Sequence, residues 1–129
     1  MLARAATRQL YDALEEAEIT AFLQSRPGSA NVIVAGDVFC YFGDMAPAIT
    51  ASCAALKPGG LLFFTAECDE TAAAGYALHD SGRYGHAEPY LRGLMSDHGF
   101  VDLTLTPETL RQERSLPVAG LVVAGRRPR

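Results

Sequence analysis

Two short apolar runs flank a helix-forming segment, and they restrict the fold more than any other part of this 129-residue chain. The first is Val32-Ile-Val-Ala-Gly-Asp-Val-Phe-Cys-Tyr-Phe42, and the second is Ala54-Ala-Leu-Lys-Pro-Gly-Gly-Leu-Leu-Phe-Phe64. Asn31 to Ala35 is continuous and dominated by β-branched residues, the pattern of a strand covered on both faces by helices. Gly43-Asp44 ends the turn that follows, and Asp44 is placed to cap a helix over Met45 to Leu56. Ile49, Cys53 and Leu56 form the inward stripe of that helix. Pro58-Gly59-Gly60 stops it and turns the chain into a second buried strand, Leu61 to Ala66.

Upstream, Met1 to Gln9 has helical composition, with Leu2, Ala5, Ala6 and Leu10 able to share a face. Leu10 to Ile19 suits a helix by residue type, Ile19 to Leu23 suits a helical turn, and Arg26-Pro-Gly-Ser29 is a break. Downstream, Cys68 to Gly85 is polar and without periodicity, which for a loop of that length suggests a lid or binding loop, or disorder. His86 to His98 returns to helical spacing and Gly99 stops it. Phe100 to Leu105 and Val118 to Gly125 read as strands joined by Pro107 to Pro117, an antiparallel pair at a sheet edge. The alternation of strands and helices predicts an α/β fold with helices flanking a mainly parallel sheet, in one domain over residues 1–129.

The net charge of -4 and the absence of a basic cluster argue against a nucleic-acid partner. Arg126-Arg127-Pro128-Arg129 reads as a solvated end. Cys40, Cys53 and Cys68 have neither zinc-site nor disulfide-framework spacing, so no metal site is expected, and free thiols fit a reduced, cytoplasmic setting. No segment reaches the roughly 20 apolar residues of a membrane span.

These residues resemble a known family. Asn31 to Arg126 is similar, in order, spacing and turn chemistry, to the fourth to seventh strands of class I S-adenosylmethionine-dependent methyltransferases. The narrower likeness is to predicted methyltransferases often fused to tetratricopeptide repeats. It rests on Asp37-Val-Phe-Cys-Tyr-Phe-Gly-Asp-Met45, Gly82-Arg-Tyr-Gly-His-Ala-Glu-Pro-Tyr-Leu91 and Pro117-Val-Ala-Gly-Leu121. The resemblance implies a Rossmann-like sheet with strands in the order 4-5-7-6, S-adenosylmethionine as cofactor, and a small-molecule methyl acceptor. It also implies that part of Leu10 to Ile19 is the short third strand. The family's glycine-rich turn after strand one has no counterpart before Asn31. The chain therefore reads as the carboxy-terminal portion of such a domain, lacking strands one and two, at least the roughly 30 residues of a βαβ unit. A strand left without its neighbour is a template for pairing, so a homodimer through that edge is expected, or coverage of the edge by the amino-terminal segment. The alternative to an enzyme is a non-catalytic methyltransferase-like module that dimerises or regulates.

Asp37 lies where a parallel strand ends, the ligand end of open α/β sheets, and reads either as a cofactor-cleft group or as a turn or capping residue. By resemblance Glu18 occupies the acidic position facing the adenine; by composition it is a surface carboxylate. Tyr41 reads as a cofactor-pocket aromatic or as core. Glu67 ends the second strand on the same side, as a cleft group or a turn carboxylate. Arg83, Tyr84 and His86 match the family segment that closes over the substrate. There an arginine holds a substrate carboxylate and a histidine removes a proton; otherwise they lead into the next helix.

Overall fold

A computed structural model of the protein describes residue 13 and residues 15–129. Its elements in chain order are α1 (Ile19–Gln24), β1 (Ala30–Ala35), a single 3₁₀ turn (Phe39–Tyr41), α2 (Ala46–Ala55), β2 (Leu56–Cys68), β3 (Tyr76–Leu78), β4 (Tyr84–His86), α3 (Glu88–Asp97), β5 (Val101–Glu113) and β6 (Leu116–Arg126). β2 is the central strand. One of its edges pairs antiparallel with β6, which pairs antiparallel with β5. The other edge pairs parallel with β1 and, at its last residues, with β4. The order β1-β2-β6-β5, with β6 running against its neighbours, is the 4-5-7-6 order expected of a methyltransferase sheet.

Local chemistry explains the boundaries. Met45 rather than Asp44 is the N-cap residue of α2, and Asp44 supports the helix from one position earlier, its Oδ1 accepting the Ala46 N–H at 2.9 Å. Gly99, at φ 94°, ends α3 in the left-handed region that an L side chain resists. Lys57 to Gly60 does not end one element and begin another. β2 starts at Leu56, which faces Ala30, and the pairing resumes at Val32 opposite Leu61, so four residues bulge out of the ladder. Gly59, at φ 82°, makes that bulge possible, and its N–H donates to the Arg127 carbonyl at 2.9 Å.

Burial alternates along β2, and it is one-sided. Leu62, Phe64 and Ala66, with Leu121 and Val123 of β6, are buried with Ile49 of α2 and with Leu91 and Met95 of α3. Phe39 packs on Phe64 with ring centroids 5.0 Å apart. α1 completes this layer, placing Leu23 against Ala51, Ala55 and Ile33. Among the described residues no helix covers the opposite face. Val32 and Val34 point there and remain 51% and 73% exposed. Among the described residues, the helical cover expected on both faces of β1 is present on one face.

Three further expectations change. The stretch Cys68 to Gly85 contains the β3–β4 hairpin, whose three-residue strands are too short to leave a periodicity in the sequence. Pro107 to Pro117 is not a plain connection: it holds the far half of β5 to Glu113, the turn Arg114-Ser115 and the first two residues of β6, and Pro107 is tolerated because β5 is the outer strand. Glu15 to Glu18 form no third strand, while Leu10 to Asp12, Leu14 and the helix expected over Met1 to Gln9 lie outside the described residues.

Candidate functional site

The carboxyl ends of β1 and β2 point the same way, and a network of ionised side chains closes over them. Asp37 follows β1 in the left-handed region at φ 54°, a conformation that aspartate tolerates better than most residues. Its N–H donates to Thr65 Oγ1 on β2 at 3.0 Å, which ties the turn to the central strand. Glu67 sits near the end of β2 between Gly85 of β4 and Gly120 of β6, and is buried. A buried carboxylate needs a partner, and Arg111 supplies one: Nη2 donates to Glu67 Oε2 at 2.7 Å. The same guanidinium donates through Nη1 to Asp37 Oδ1 at 3.1 Å and through Nε to Glu113 Oε1 at 3.1 Å. Arg83 completes the group. Its Nη1 bonds Glu113 Oε1 and its Nε lies 3.8 Å from Glu67 Oε2.

Arg111 starts three strands away from β1, about 14 Å at ordinary strand spacing. It reaches Asp37 because the β5–β6 hairpin runs past the end of β2 and bends over it. The bend has a cause. Thr109 pairs with Ala119 and Arg111 with Val118, so Leu110 is the extra residue of a bulge. Leu110 packs over Gly120, where a Cβ would meet Leu110 Cδ1 at 2.4 Å and the Ala66 carbonyl at 2.6 Å. Bulge, glycine and re-aimed arginine form one device.

The charges are mutually satisfied. Hydrogen bonds from Arg111 and then Arg83 hold the Glu113 carboxyl below the ordinary carboxylate range. The Tyr41 hydroxyl and Glu113 both raise the already high pKa of Arg83. Of the three carboxylates Glu67 is buried, Asp37 is the most exposed at 63%, and Glu113, at 38%, is the one beside the hairpin tip. An open groove of about 390 Å³ lies next to it, lined by Asp80 and Ser81 from one hairpin and by Glu113, Arg114 and Pro117 from the other.

Of the residues singled out from sequence, Asp37, Glu67 and Arg83 meet here, with Tyr41 at the rim. Tyr84 and His86 lie to one side in an aromatic cluster. The His86 ring is fully buried, stacked 6.0 Å from Tyr90 and tilted against Tyr76 at 6.1 Å. Its Nε2 bonds the Gly43 carbonyl at 3.1 Å; a carbonyl only accepts, so Nε2 carries the proton and Nδ1 holds a lone pair without a partner among the described residues. Burial lowers the pKa of this ring. Glu18 caps α1, accepting from Thr20 N–H at 3.1 Å and Ala21 N–H at 2.7 Å. Cys68 hydrogen-bonds Glu70, and burial together with that bond pushes its thiol up to about 11, the unreactive side of neutrality. Arg111 and Glu113 were not anticipated. The bulge breaks the period of two and Pro107 masks the strand, so only Arg111 and Glu113 at i, i+2 could have hinted that they share a face.

A second groove, about 540 Å³, runs between α1 and β1 and is lined mainly by Ile19, Phe22, Ile33, Val34, Val38 and Phe39, with the Glu15–Arg26 ion pair also on its wall. It is mostly apolar and separate from the network around Arg111. No described helix is long and apolar enough to cross a membrane, and no metal-binding group of histidine, cysteine or carboxylate side chains occurs among the described residues.

No protein-family model matches the sequence, and no curated protein matches it. Solved structures do match the fold. The 1,6-didemethyltoxoflavin-N1-methyltransferase of Burkholderia thailandensis superposes with a TM-score of 0.74 at 14% identity, over 99% of this chain and 56% of that one. An S-adenosylmethionine-dependent methyltransferase from Mesorhizobium loti gives 0.68 at 21% identity, over 98% and 76%. Phosphoethanolamine N-methyltransferase 2 of Haemonchus contortus gives 0.63 at 13% identity, over 81% of this chain and 35% of that one. The chain thus spans between about a third and three quarters of these proteins. At such identities the likeness establishes the fold: a Rossmann-like methyltransferase sheet, incomplete in the described residues.

Proposed function

We propose that the chain serves S-adenosylmethionine-dependent methyl transfer to a small-molecule acceptor, with the carboxyl ends of β1 and β2 as its ligand cleft. The observation that carries this reading is the convergence of Asp37, Glu67, Arg83 and Arg111 at that end of a sheet ordered like those of methyltransferases. Bound S-adenosylmethionine supplies a methyl group on a cationic sulfur that is already activated, so the protein's work is alignment and exclusion of water. The described residues fit the cofactor on one side. Phe22, Phe39 and Ile33 offer an apolar wall for its adenosine, and Asp37 offers an exposed carboxylate at the strand end. Glu18, expected near the adenine, has both oxygens engaged by the α1 cap, and no glycine-rich turn precedes β1. Arg83 and Arg111 position the acceptor, and Tyr41 closes the rim. His86 acts from beneath, holding Gly43 and the aromatic cluster in place. Three free thiols support a reduced, cytoplasmic setting. The sequence pattern around Asp37 and Arg83 supports kinship with the repeat-fused group.

Isothermal titration with S-adenosylmethionine and S-adenosylhomocysteine tests this reading. Micromolar binding that weakens in Asp37→Ala supports it; no binding at millimolar ligand removes it for this chain acting alone.

Among the described residues β1 pairs with β2 alone and leaves Val32 and Val34 exposed, which favours a second reading, a methyltransferase-like dimerisation or regulatory module. Light scattering after size exclusion decides it: a dimer is expected, and a clean monomer removes it.

A further inference from the structure

We propose that Arg83 and Arg111 form a binding site for the carboxylate or phosphate group of a small-molecule ligand, and that Glu113 occupies this site in the ligand-free protein. The inference rests on the ligand-cleft reading above and names the chemical class that the cleft takes. A single oxygen, Glu113 Oε1, is held by both guanidiniums, by Arg83 Nη1 and by Arg111 Nε at 3.1 Å. Two arginines converging on one oxygen is the way proteins hold an oxyanion.

The three carboxylates in the network are not equivalent. Glu67 is buried in the central strand and fixes Arg111 through Nη2 at 2.7 Å, so it belongs to the frame. Asp37 holds Nη1 of the same guanidinium, with its backbone tied to Thr65. Glu113 alone is next to a hairpin tip and borders an open groove between Asp80–Ser81 and Pro117. Rotation of that side chain into the groove frees Nη1 of Arg83 and Nε of Arg111 together.

The charge balance permits the exchange. Asp37, Glu67 and Glu113 against Arg83 and Arg111 leave a net of one negative charge. With Glu113 turned out the count is two against two, and a monoanionic ligand restores the present balance. A cationic ligand would have to displace an arginine that Glu67 anchors, which the geometry disfavours.

The test titrates inorganic phosphate and, separately, acetate into wild-type protein and Glu113→Gln. Binding is followed by calorimetry and by the Nε resonances of Arg83 and Arg111. Glu113→Gln keeps the size of the side chain and removes the competing charge, so at least one anion should bind about tenfold more tightly than to wild type. Adding Arg83→Gln to that variant should abolish the gain; Arg83 is chosen because Arg111 also supports buried Glu67. In wild type the same anions should shift the two Nε resonances and leave Arg92 unmoved, a readout that does not depend on any variant folding. Unchanged affinity for both anions in Glu113→Gln, or a gain that survives loss of Arg83, overturns the proposal. S-adenosylmethionine titrated into the same samples separates the two readings. Anion binding without cofactor binding keeps this site and removes the methyltransferase reading for this chain acting alone, and cofactor binding with anion indifference does the reverse.

Discussion

At the scale of single residues, the site depends on one arginine that makes three bonds. Arg111 neutralises Glu67, which lies between two sheet neighbours with little access to water. Truncating one member of a buried pair leaves an uncompensated charge, so Arg111→Met should destabilise the protein by about 2–4 kcal/mol in urea unfolding. Glu67→Gln with Arg111→Met should recover much of that loss, because both charges leave together; no recovery would show that the pair is not the cause. His86 makes a different prediction. Its ring is buried and its pKa is lowered from 6.5, so the folded protein holds the neutral form that the unfolded chain loses on acidification. The unfolded state therefore binds more protons, and this contribution to stability is present above about pH 6.5 and declines as pH falls below it. His86→Phe keeps the ring in the aromatic cluster and cannot titrate. Unfolding curves below pH 6.5 should depend less on pH in the variant than in wild type; parallel slopes would exclude His86 as the source.

At the scale of elements, the hairpin that carries Arg111 also carries strain. Its two-residue turn, Arg114-Ser115, has φ of 51° and 66°, the geometry that Asn-Gly adopts at low cost. Each ordinary residue in the left-handed region costs about 1–2 kcal/mol. Arg114→Asn with Ser115→Gly should raise stability by about 1–2 kcal/mol in urea titration and leave the Arg111 contacts intact. A loss of stability would mean that these side chains contribute more than the backbone strain removes. This hairpin also marks where the sequence stops being legible. Asp37 and Glu67 could be placed beforehand because the end of a parallel strand is fixed by its apolar run; Asp37 follows one after Gly36, and Glu67 follows the other directly. Arg83 could be placed only by resemblance. Arg111 and Glu113 follow a proline and a bulge, which hide the strand from any period-of-two reading, and their approach to Asp37 depends on a bend that Leu110 and Gly120 create only in three dimensions. The hairpin of β3 and β4 was illegible for another reason: its strands are three residues each, and β4 alone ties the pair to the end of β2.

At the scale of the whole molecule, the described residues build half of a layered fold. α1, α2 and α3 bury one face of the sheet, while Val32, Val34, Leu61, Phe63, Val122 and Ala124 line the other without a described helix over them. Parallel sheets are stable when both faces are covered, and an edge strand with exposed valines is an invitation to pair. The β-branched run of β1 reads as a strand covered on both faces, and the described residues cover one of them, so a partner seated on the other would complete the layer. Val34 at 73% exposure is the place to test this. In a chain that stays monomeric, Val34→Lys exchanges one exposed side chain for another and should change stability by less than about 0.5 kcal/mol. In a chain that associates through β1, the same lysine enters an apolar interface without a partner and should weaken association at least about tenfold, as single charges at interface cores do. Urea unfolding at low protein concentration measures the first quantity and concentration-dependent light scattering the second. A lysine variant that keeps its monomer stability but dissociates identifies β1 as the interface. One that associates as tightly as wild type places any self-association elsewhere and leaves the open face to a different partner.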